Sequence, residues 1–279
     1  MKKAIFLVAF VIWGSISAVS PQADEKAAVR VPLENYIKGH ETGDGEYMKK
    51  AFHTEGNLIF VRDGKYMTRS FAEYINAFDG KPAADEAKRK RWIEMVRVSG
   101  NAAIAKVILD YPTTYFVDYF ALLKIGGEWK IVNKSFHAQP SSEKDKVASV
   151  VGDADKKAVS VPLESYTKVA ETFDGKYFLQ AFRPEAKILS FSNGKFEQSS
   201  VEQYAALYTG EPDEDKPKTS FEIIDMYGNA AIAKVNLDFP AVRFTDYMTL
   251  LKIDGEWKIV NKTFSTEQKK ASSKAKRSQ

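Results

Sequence analysis

An 18-residue segment occurs twice in this chain, and this duplication limits the possible folds more than any other feature. The first copy, from Tyr119 to Phe136, reads YFALLKIGGEWKIVNKSF, and the second, from Tyr247 to Phe264, reads YMTLLKIDGEWKIVNKTF. The copies agree at 14 of 18 positions, with an offset of 128 residues. A chain of 279 residues has room for two domains of ordinary size. The repeat therefore predicts two copies of one fold, each ending in this pair of strands.

The beginning of each copy predicts two helices. Each contains a VPLE motif whose proline, Pro32 or Pro162, suits the first turn of a helix because no backbone donor is needed there. A short break follows each first helix. Asp44 and Asp174 lie where the second helix needs an N-cap, and their side chains can accept from the free N–H groups of its first turn.

A hairpin and a third helix follow in each copy. Asp63-Gly64 and Asn193-Gly194 separate apolar runs, a strong hairpin signal because both turn residues tolerate positive φ. The third helix opens with a capping box, a hydroxyl cap followed three residues later by a side chain that can bond back to it. The two boxes are Ser70 with Glu73 and Ser200 with Gln203. Gly80 and Gly210 are predicted to end these helices.

The last part of each copy predicts a meander of strands. Its second strand alternates clearly: apolar residues from Ala103 to Tyr111 share one face, and Lys106 and Asp110 lie on the other. The second copy repeats this pattern with Lys234 and Asp238. We expect the apolar face in the core and the other at least partly in water, with lysine and aspartate in cross-strand ion pairs. The fold class is therefore α+β, with two tandem cone-shaped domains in which helices pack on a curved antiparallel sheet.

The chain divides into five segments. Met1, Lys2 and Lys3 precede an apolar run and then small residues, the pattern of a secretory signal peptide cleaved between Ser17 and Ala23. The apolar run is shorter than the roughly 20 residues of a membrane-spanning helix. The predicted segments are the signal peptide (1–23), a first domain (24–140), an exposed linker (141–158), a second domain (159–264) and a basic disordered tail (265–279). The chain is therefore expected to be exported, periplasmic or secreted, without a stable membrane anchor.

Charge and cysteine content exclude some classes of function. The formal net charge is +4, and the tail from residue 265 onward alone carries a net +4. Without the two signal-peptide lysines the domains are about −2 by subtraction, so they offer no electrostatic platform for nucleic acid. The chain has no cysteine, so disulfides and a lipid-bearing cysteine are impossible and stability depends on the apolar cores.

Several motifs resemble a known family. They are AFHTEGNLIF from Ala51, GNAAIAKV from Gly100 and Gly228, and the duplicated strand pair preceded by Asp118 or Asp246. Together with the order of elements, they resemble the family named "putative lumazine-binding" in the nuclear transport factor 2-like (NTF2-like) superfamily, in two tandem copies. The resemblance implies a cone whose open end holds a pocket for a small aromatic or apolar ligand. Members of the superfamily include isomerases, dehydratases, polyketide cyclases and non-catalytic binders, so fold alone does not choose among them.

The candidate site residues follow from this cone. His40 lies four residues after Tyr36 on a helix, so both side chains could face one cavity with Asp118 as the group that orients the histidine. An ordinary structural histidine is the competing interpretation, because the second copy has Ala170 at this position. Burial of Asp118 among aromatic residues would raise its pKa. The predicted ligand-binding residues are Tyr36, His40, Phe60, Phe116, Asp118, Tyr166, Phe244 and Asp246.

Three hypotheses remain open at this stage. The first is an exported, non-catalytic module that binds a small apolar or aromatic ligand in one or both cones. The second is a lyase or isomerase that acts only in the first cone, with His40 and Asp118 as catalytic candidates. The third is a scaffold without ligand, in which the cones form an intrachain pseudo-dimer, or a homodimer, through their sheets. No cofactor is expected, and no metal site, because the three histidines lack metal-binding spacing.

Overall fold

Each half of the chain folds into the same series of helices and strands. The computed structural model describes residues 21–148, 152–211 and 215–269. The first domain contains α1 (Pro21–Thr42), α2 (Gly45–Ala51), β1 (Phe52–Arg62), β2 (Lys65–Ser70), α3 (Phe71–Ile75), β3 (Lys90–Ser99), β4 (Ala102–Asp110), β5 (Thr114–Ile125) and β6 (Glu128–Pro140). After α4 (Lys144–Ala148), the second contains α5 (Asp153–Thr172), α6 (Gly175–Ala181), β7 (Phe182–Ser192), β8 (Lys195–Ser200), α7 (Val201–Ala205), β9 (Lys218–Tyr227), β10 (Ala230–Asp238), β11 (Val242–Ile253) and β12 (Glu256–Gln268).

Each domain has one six-stranded sheet with helices on its inner face. The strand orders are β2-β1-β6-β5-β4-β3 and β8-β7-β12-β11-β10-β9. This arrangement confirms two tandem α+β domains. One detail differs from the predicted antiparallel sheet, because β1 pairs with β6, and β7 with β12, in parallel. The chain passes from β2 at one edge of the sheet to β3 at the other edge, and the antiparallel meander from β3 to β6 then places β6 beside β1 in the same direction.

The predicted turns and caps are confirmed. Asp63 and Asn193 have φ of 50° and 51°, each followed by a glycine with positive φ, in the tight turns of the β1–β2 and β7–β8 hairpins. The Asp44 and Asp174 side chains accept from backbone N–H groups of α2 and α6. Both capping boxes are complete in α3 and α7.

Two predictions about helix ends are wrong. Pro32 and Pro162 lie inside α1 and α5 rather than in their first turns. The extra turns before each proline bury Val29 and Val159 completely, and this burial offsets the hydrogen bond that an internal proline removes. The third helices also end at Ile75 and Ala205, well before Gly80 and Gly210. Each glycine N–H instead bonds back to the end of the long helix, as Gly80 does to Gly43 O at 2.8 Å.

Two predicted segment boundaries also change, and the linker is partly helical. Residues 153–158 of the predicted linker form the start of α5, and Ser141–Glu143 and α4 are helical. The predicted tail begins too early, because β12 continues to Gln268 and Lys269 pairs with Asp238 at 2.7 Å. The signal-peptide prediction falls almost entirely on residues 1–20 and the rest of the tail on 270–279, outside the described residues. In the parts of the chain that are described, no helix combines the length and apolar character needed to cross a bilayer.

The structure has three apolar cores rather than two. One core lies between the helices and the inner sheet face of each domain. The third joins the outer faces of the two sheets, through residues such as Ile104, Val117 and Leu123 of the first domain and Ile232, Leu251 and Val260 of the second. The sheet face that we expected to be partly wet is therefore largely buried between domains. The two halves form an intrachain pseudo-dimer through their sheets.

Polar contacts at the edge of this interface fix how the domains pair. Lys106 Nζ lies 2.8 Å from Glu94 and 2.8 Å from Asp225 of the other domain. The Tyr119 hydroxyl also donates to Asp225 Oδ2, at 2.6 Å. The expected cross-strand ion pair is formed between Lys106 and Glu94 of β3, whereas Asp110 pairs with Lys144 of α4. In the second domain Lys234 pairs with Glu222, and Asp238 pairs with Arg243 and Lys269.

We expect Asp225→Asn to destabilise the whole chain. The change removes one of the two carboxylates that compensate Lys106, whose side chain is only 11% exposed, and leaves Glu94 as the other. Hydrogen bonds to charged groups contribute about 1.5–3 kcal/mol, so we expect the free energy of unfolding to fall by about 2 kcal/mol. Urea denaturation measures the change. The exposed Arg183–Glu185 pair offers a control, since Glu185→Gln should cost no more than about 0.5 kcal/mol. Equal losses in both variants would contradict the assigned role of Asp225.

Candidate functional site

A buried carboxylate, lysine and tyrosine occupy the centre of the first cone. Asp118 on β5 is fully buried and accepts a hydrogen bond from the Tyr36 hydroxyl of α1 at 2.6 Å. Lys134 Nζ on β6 lies 3.0 Å from Asp118 Oδ1. The ammonium group also lies over the Phe136 ring, 4.6 Å from its centroid. The pair is therefore shielded from water by aromatic side chains.

The second cone repeats this arrangement. The Tyr166 hydroxyl donates to Asp246 Oδ2 at 2.6 Å, and Lys262 Nζ lies 3.1 Å from Asp246 Oδ1. Lys262 lies 3.9 Å from the centroid of the Phe264 ring. Because Asp118 and Asp246 occupy equivalent positions, duplication has preserved the triad together with the fold.

Burial perturbs the titration of these groups. Loss of solvation raises the pKa of Asp118, against the opposing effect of Lys134 and the Tyr36 hydroxyl. The raised pKa that we expected from sequence is confirmed. Burial also lowers the pKa of Lys134. Burial also tends to lower the pKa of Lys262. The interactions of its ammonium group with Asp246 and with the Tyr204 hydroxyl outweigh this effect, so the pKa of Lys262 is raised.

The different partners of two equivalent tyrosines account for this contrast between the lysines. In the second cone the Tyr204 hydroxyl lies 3.5 Å from Lys262 Nζ. In the first cone the hydroxyl of Tyr74 is hydrogen-bonded to His40 Nε2, at 2.8 Å. Lys134 therefore lacks the second oxygen that stabilises the ammonium form of Lys262.

His40 has a structural setting in the first cone. Its ring packs against Tyr36, Phe78 and Tyr111, with centroid distances of 4.7, 5.3 and 6.4 Å. Its hydrogen bond goes to Tyr74, so the prediction that Asp118 orients His40 is wrong. Burial, followed by the charges of Lys134, Arg91 and Arg89, lowers the pKa of His40 well below its ordinary value.

The second cone has an open cavity where the first has the imidazole of His40. Ala170 occupies the position equivalent to His40, so the space beside Tyr166 stays unfilled. The cavity has a volume of about 170 Å³. Its lining residues are Tyr166, Ala170, Phe173, Tyr204, Tyr208, Leu237, Phe239, Phe244 and Lys262. The walls are thus mainly aromatic, with the ammonium of Lys262 as the charged group.

The remaining predicted ligand-binding residues are divided between the two cones. Phe60 stacks on Phe136 at 4.8 Å, and Phe116 packs edge-on against Tyr111 at 5.8 Å, so both belong to the first core. Tyr166 and Phe244 line the open cavity, and Asp246 supports it through Lys262. In the described part of the chain, no three histidine or acidic side chains converge in a way that could hold a metal ion.

The sequence analysis missed Lys134 and Lys262 because of a β-bulge. The pairing of β5 with β6 shifts between Ala121 and Leu122, leaving Val132 as the extra residue. A one-residue insertion moves the following side chains to the opposite face of the sheet. Lys134 therefore points into the cone, and the bulge in β12 does the same for Lys262. The available signal was that Lys134 and Lys262 are the same residue in both copies, at the end of the shared motif KIVNK.

Comparison with known families agrees with this geometry. A family model described as "Putative lumazine-binding" matches residues 24–137 and 154–265, which together make up most of the chain. The chain belongs to this family. Both matched units have the α+β fold that the resemblance implied.

Individual relatives each correspond to one unit of this family. An aldolase, FrzH, from a Cladobotryum species is 29% identical over 120 residues, covering 42% of this chain and 94% of that protein. Crystal structures of NTF2-like proteins of unknown function from Shewanella baltica OS155 and Methylobacillus flagellatus KT are 26% and 27% identical. Each match covers 44% of this chain. The match covers 100% of the Shewanella chain, with a TM-score of 0.40, and 96% of the Methylobacillus chain, with a TM-score of 0.37.

We expect Lys134→Met to destabilise the chain strongly at neutral pH. The change leaves the Asp118 carboxylate buried without a counter-charge, which costs about 3–5 kcal/mol. An acid with a raised folded-state pKa is most stabilising below its unfolded pKa of about 3.9, and this stability is lost as the pH rises through the folded value. Removing Lys134 should raise the folded-state pKa of Asp118 further. The stability that the variant lacks at neutral pH should therefore recover as the pH falls. Chemical denaturation across the acidic pH range measures both effects.

A double variant provides the control for this prediction. Lys134→Met with Asp118→Asn removes both charges while an amide oxygen still accepts from Tyr36, so most of the lost stability should return. A Lys134→Met variant with the same deficit at every pH would contradict the proposed ionised pair.

Proposed function

We propose that the protein is a non-catalytic binder of a small aromatic ligand, and that the second cone is its working site. The observation that supports this proposal is the cavity beside Lys262, which Ala170 leaves open and which the first cone fills with His40. The family description, which refers to lumazine binding, supports a small planar ligand. Mainly apolar pockets with few polar groups are typical of small-molecule sites.

The size of the cavity limits the ligand. A closed apolar cavity of about 150 Å³ holds benzene. A cavity of about 170 Å³ therefore accepts one six-membered ring, or part of a fused ring system whose remainder extends toward the mouth. Tyr166, Tyr204 and Phe244 provide faces and edges against which a ring can pack.

The charges in the cavity favour a neutral ligand that carries a hydrogen-bond acceptor. Lys262 is paired with Asp246, so the site as a whole is neutral and an anionic ligand would leave a buried excess charge. The raised pKa of Lys262 keeps its ammonium group available as a donor. A ring carbonyl directed at Lys262 Nζ would satisfy these conditions.

A second candidate function is a lyase that cleaves or forms a carbon–carbon bond. The similarity to a protein named aldolase favours it. A carbonyl group bound at Lys262 would be polarised by the ammonium, and a tyrosine hydroxyl of the cavity could transfer a proton. The earlier alternative, a lyase or isomerase of the first cone, has less support because His40 bonds Tyr74 rather than Asp118.

We also propose that the protein is exported to the periplasm or secreted. The charged, apolar and small-residue pattern of residues 1–23 supports this proposal. N-terminal sequencing of the protein recovered from cell fractions tests it. A protein that keeps Met1 and stays in the cytoplasm would overturn it.

We expect Ala170→His to abolish ligand binding. The introduced imidazole should occupy the cavity and bond Tyr204, as His40 bonds Tyr74 in the first cone. Isothermal titration calorimetry with lumazine and with nicotinamide, a single neutral ring with a carbonyl group, measures affinity. For whichever probe binds the native protein, the variant should lose at least tenfold in affinity while its thermal stability is kept or raised.

His40→Ala is the matched control, because it changes the equivalent position and leaves the second cone intact. This variant should keep the native affinity. Loss of binding in His40→Ala but not in Ala170→His would transfer the site to the first cone. An absence of bound small molecules in native mass spectrometry, together with no binding of either probe, would favour the ligand-free scaffold. Cleavage of an aromatic β-hydroxyketone to an aldehyde and acetone, lost in Ala170→His, would favour the lyase.

A further inference from the structure

The approximate two-fold symmetry between the domains creates two equivalent places at their interface, and one of them holds a carboxylate. Asp225 of β9 reaches across the interface between Lys106 and Tyr119. Its Oδ2 atom lies 2.8 Å from Lys106 Nζ and 2.6 Å from the Tyr119 hydroxyl. A lysine and a tyrosine on adjacent strands thus form a receptor for an anionic group, which the chain itself supplies.

The symmetry-related place has the same receptor but no carboxylate at the position of Asp225. Lys234 and Tyr247 are the equivalents of Lys106 and Tyr119, and Arg97 occupies the position of Asp225. Arg97 pairs with Ile104 on β4 just as Asp225 pairs with Ile232 on β10, so the backbone positions correspond. An acid has thus been replaced by a base at this point of the interface.

A cavity of about 270 Å³ lies at this second place. It is lined by Lys26, Arg97, Val98, Ser99, Ile224, Lys234 and Tyr247. Tyr247 is 2% exposed, and its hydroxyl lies 3.1 Å from the hydroxyl of Ser99. Three cationic side chains and two hydroxyl groups therefore surround one space.

The positive charge of this cavity is only partly compensated. Glu222 is the acid that pairs with its cations, at 3.7 Å from Arg97 and 3.5 Å from Lys234. Lys26 makes no ion pair with any residue that the structure describes. Its neighbour Glu25 is turned toward Lys124 and Trp129, at 2.6 and 2.9 Å. The three cations and Glu222 thus leave a net charge of +2 around the cavity.

We propose that this cavity, the interdomain notch, binds a tetrahedral oxyanion such as phosphate or sulfate, either free or as the head group of a small ester. A dianion matches the two uncompensated charges, and arginine, lysine and hydroxyl donors are the groups that hold such oxygens. One oxygen takes the place that Asp225 occupies in the related site, between Lys234 and the Tyr247 hydroxyl. The bound anion would join α1 and β3 of the first domain to β10 and β11 of the second.

The test is calorimetric titration of the full chain with sodium phosphate, with sodium chloride adjusted to hold ionic strength constant. We expect saturable binding to one site. Arg97→Asp should reduce affinity at least tenfold, because the introduced carboxylate can occupy the position of the anion as Asp225 does in the related site. Its thermal stability should be unchanged or higher, so loss of binding cannot be confused with misfolding. Lys26→Gln, at an exposed position, should weaken binding severalfold.

Lys195→Asp is the matched control for charge. It makes the same change in net charge at the exposed start of β8, away from the notch, and should keep the native affinity. An absence of saturable phosphate binding would overturn the proposal, as would equal losses in Lys195→Asp and Arg97→Asp. Glycerol phosphate titrated in parallel distinguishes the two sources of the anion. Tighter binding of glycerol phosphate than of inorganic phosphate would show that the notch prefers a phosphate ester, and weaker binding would show that it prefers the free ion.

Discussion

Burial of apolar surface on both faces of each sheet is the constraint on which the structure depends. Eight of the nine residues of β4 are buried, and its two faces contribute to different cores. Burying a large aliphatic side chain contributes about 1.5–3 kcal/mol, so the outer faces represent a large cost if they meet water. With no disulfide available, the chain meets this constraint by packing one sheet against the other. Pairing of the domains is therefore part of the fold, and the ion pairs at the edge of the interface select the pairing geometry.

Duplication has allowed equivalent positions to take different roles. The aspartate–lysine–tyrosine triad is the same in both cones, because a buried charge requires its partner wherever the fold is used. Beside the triad the copies differ in the rings that they supply: His40 fills the first cone, whereas Ala170 leaves the second open and Phe173 lines its cavity. At the interface they differ by the sign of one charge, Asp225 against Arg97. In each case a side chain occupies the space in one copy, and a cavity lies at the equivalent position in the other.

Much of the fold could be predicted from particular residues, but the site was predicted only in part. Turn and cap residues act over a few positions, so Asp63, Asn193, Ser70 and Asp44 reported their local structure correctly. Asp118 and Asp246 were found because they lie among aromatic residues in both copies. Lys134 and Lys262 were missed because a bulge reverses the alternation of their strands, and strand periodicity cannot reveal an inserted residue. His40 was assigned the wrong partner because helical spacing indicates a shared face but does not distinguish Tyr74 from Asp118.

By itself, the amino-acid sequence determined the duplicated α+β architecture, the positions of its turns and caps, the family and the two buried aspartates. These features depend on local backbone preferences and on a repeat that is visible within one chain. Only the tertiary structure decided that the outer sheet faces pack against each other, that the open cavity lies in the second cone and that the interface carries an unmatched positive charge. Each of these depends on side chains that are distant in sequence, and their distances and burial are set only when the two sheets come together.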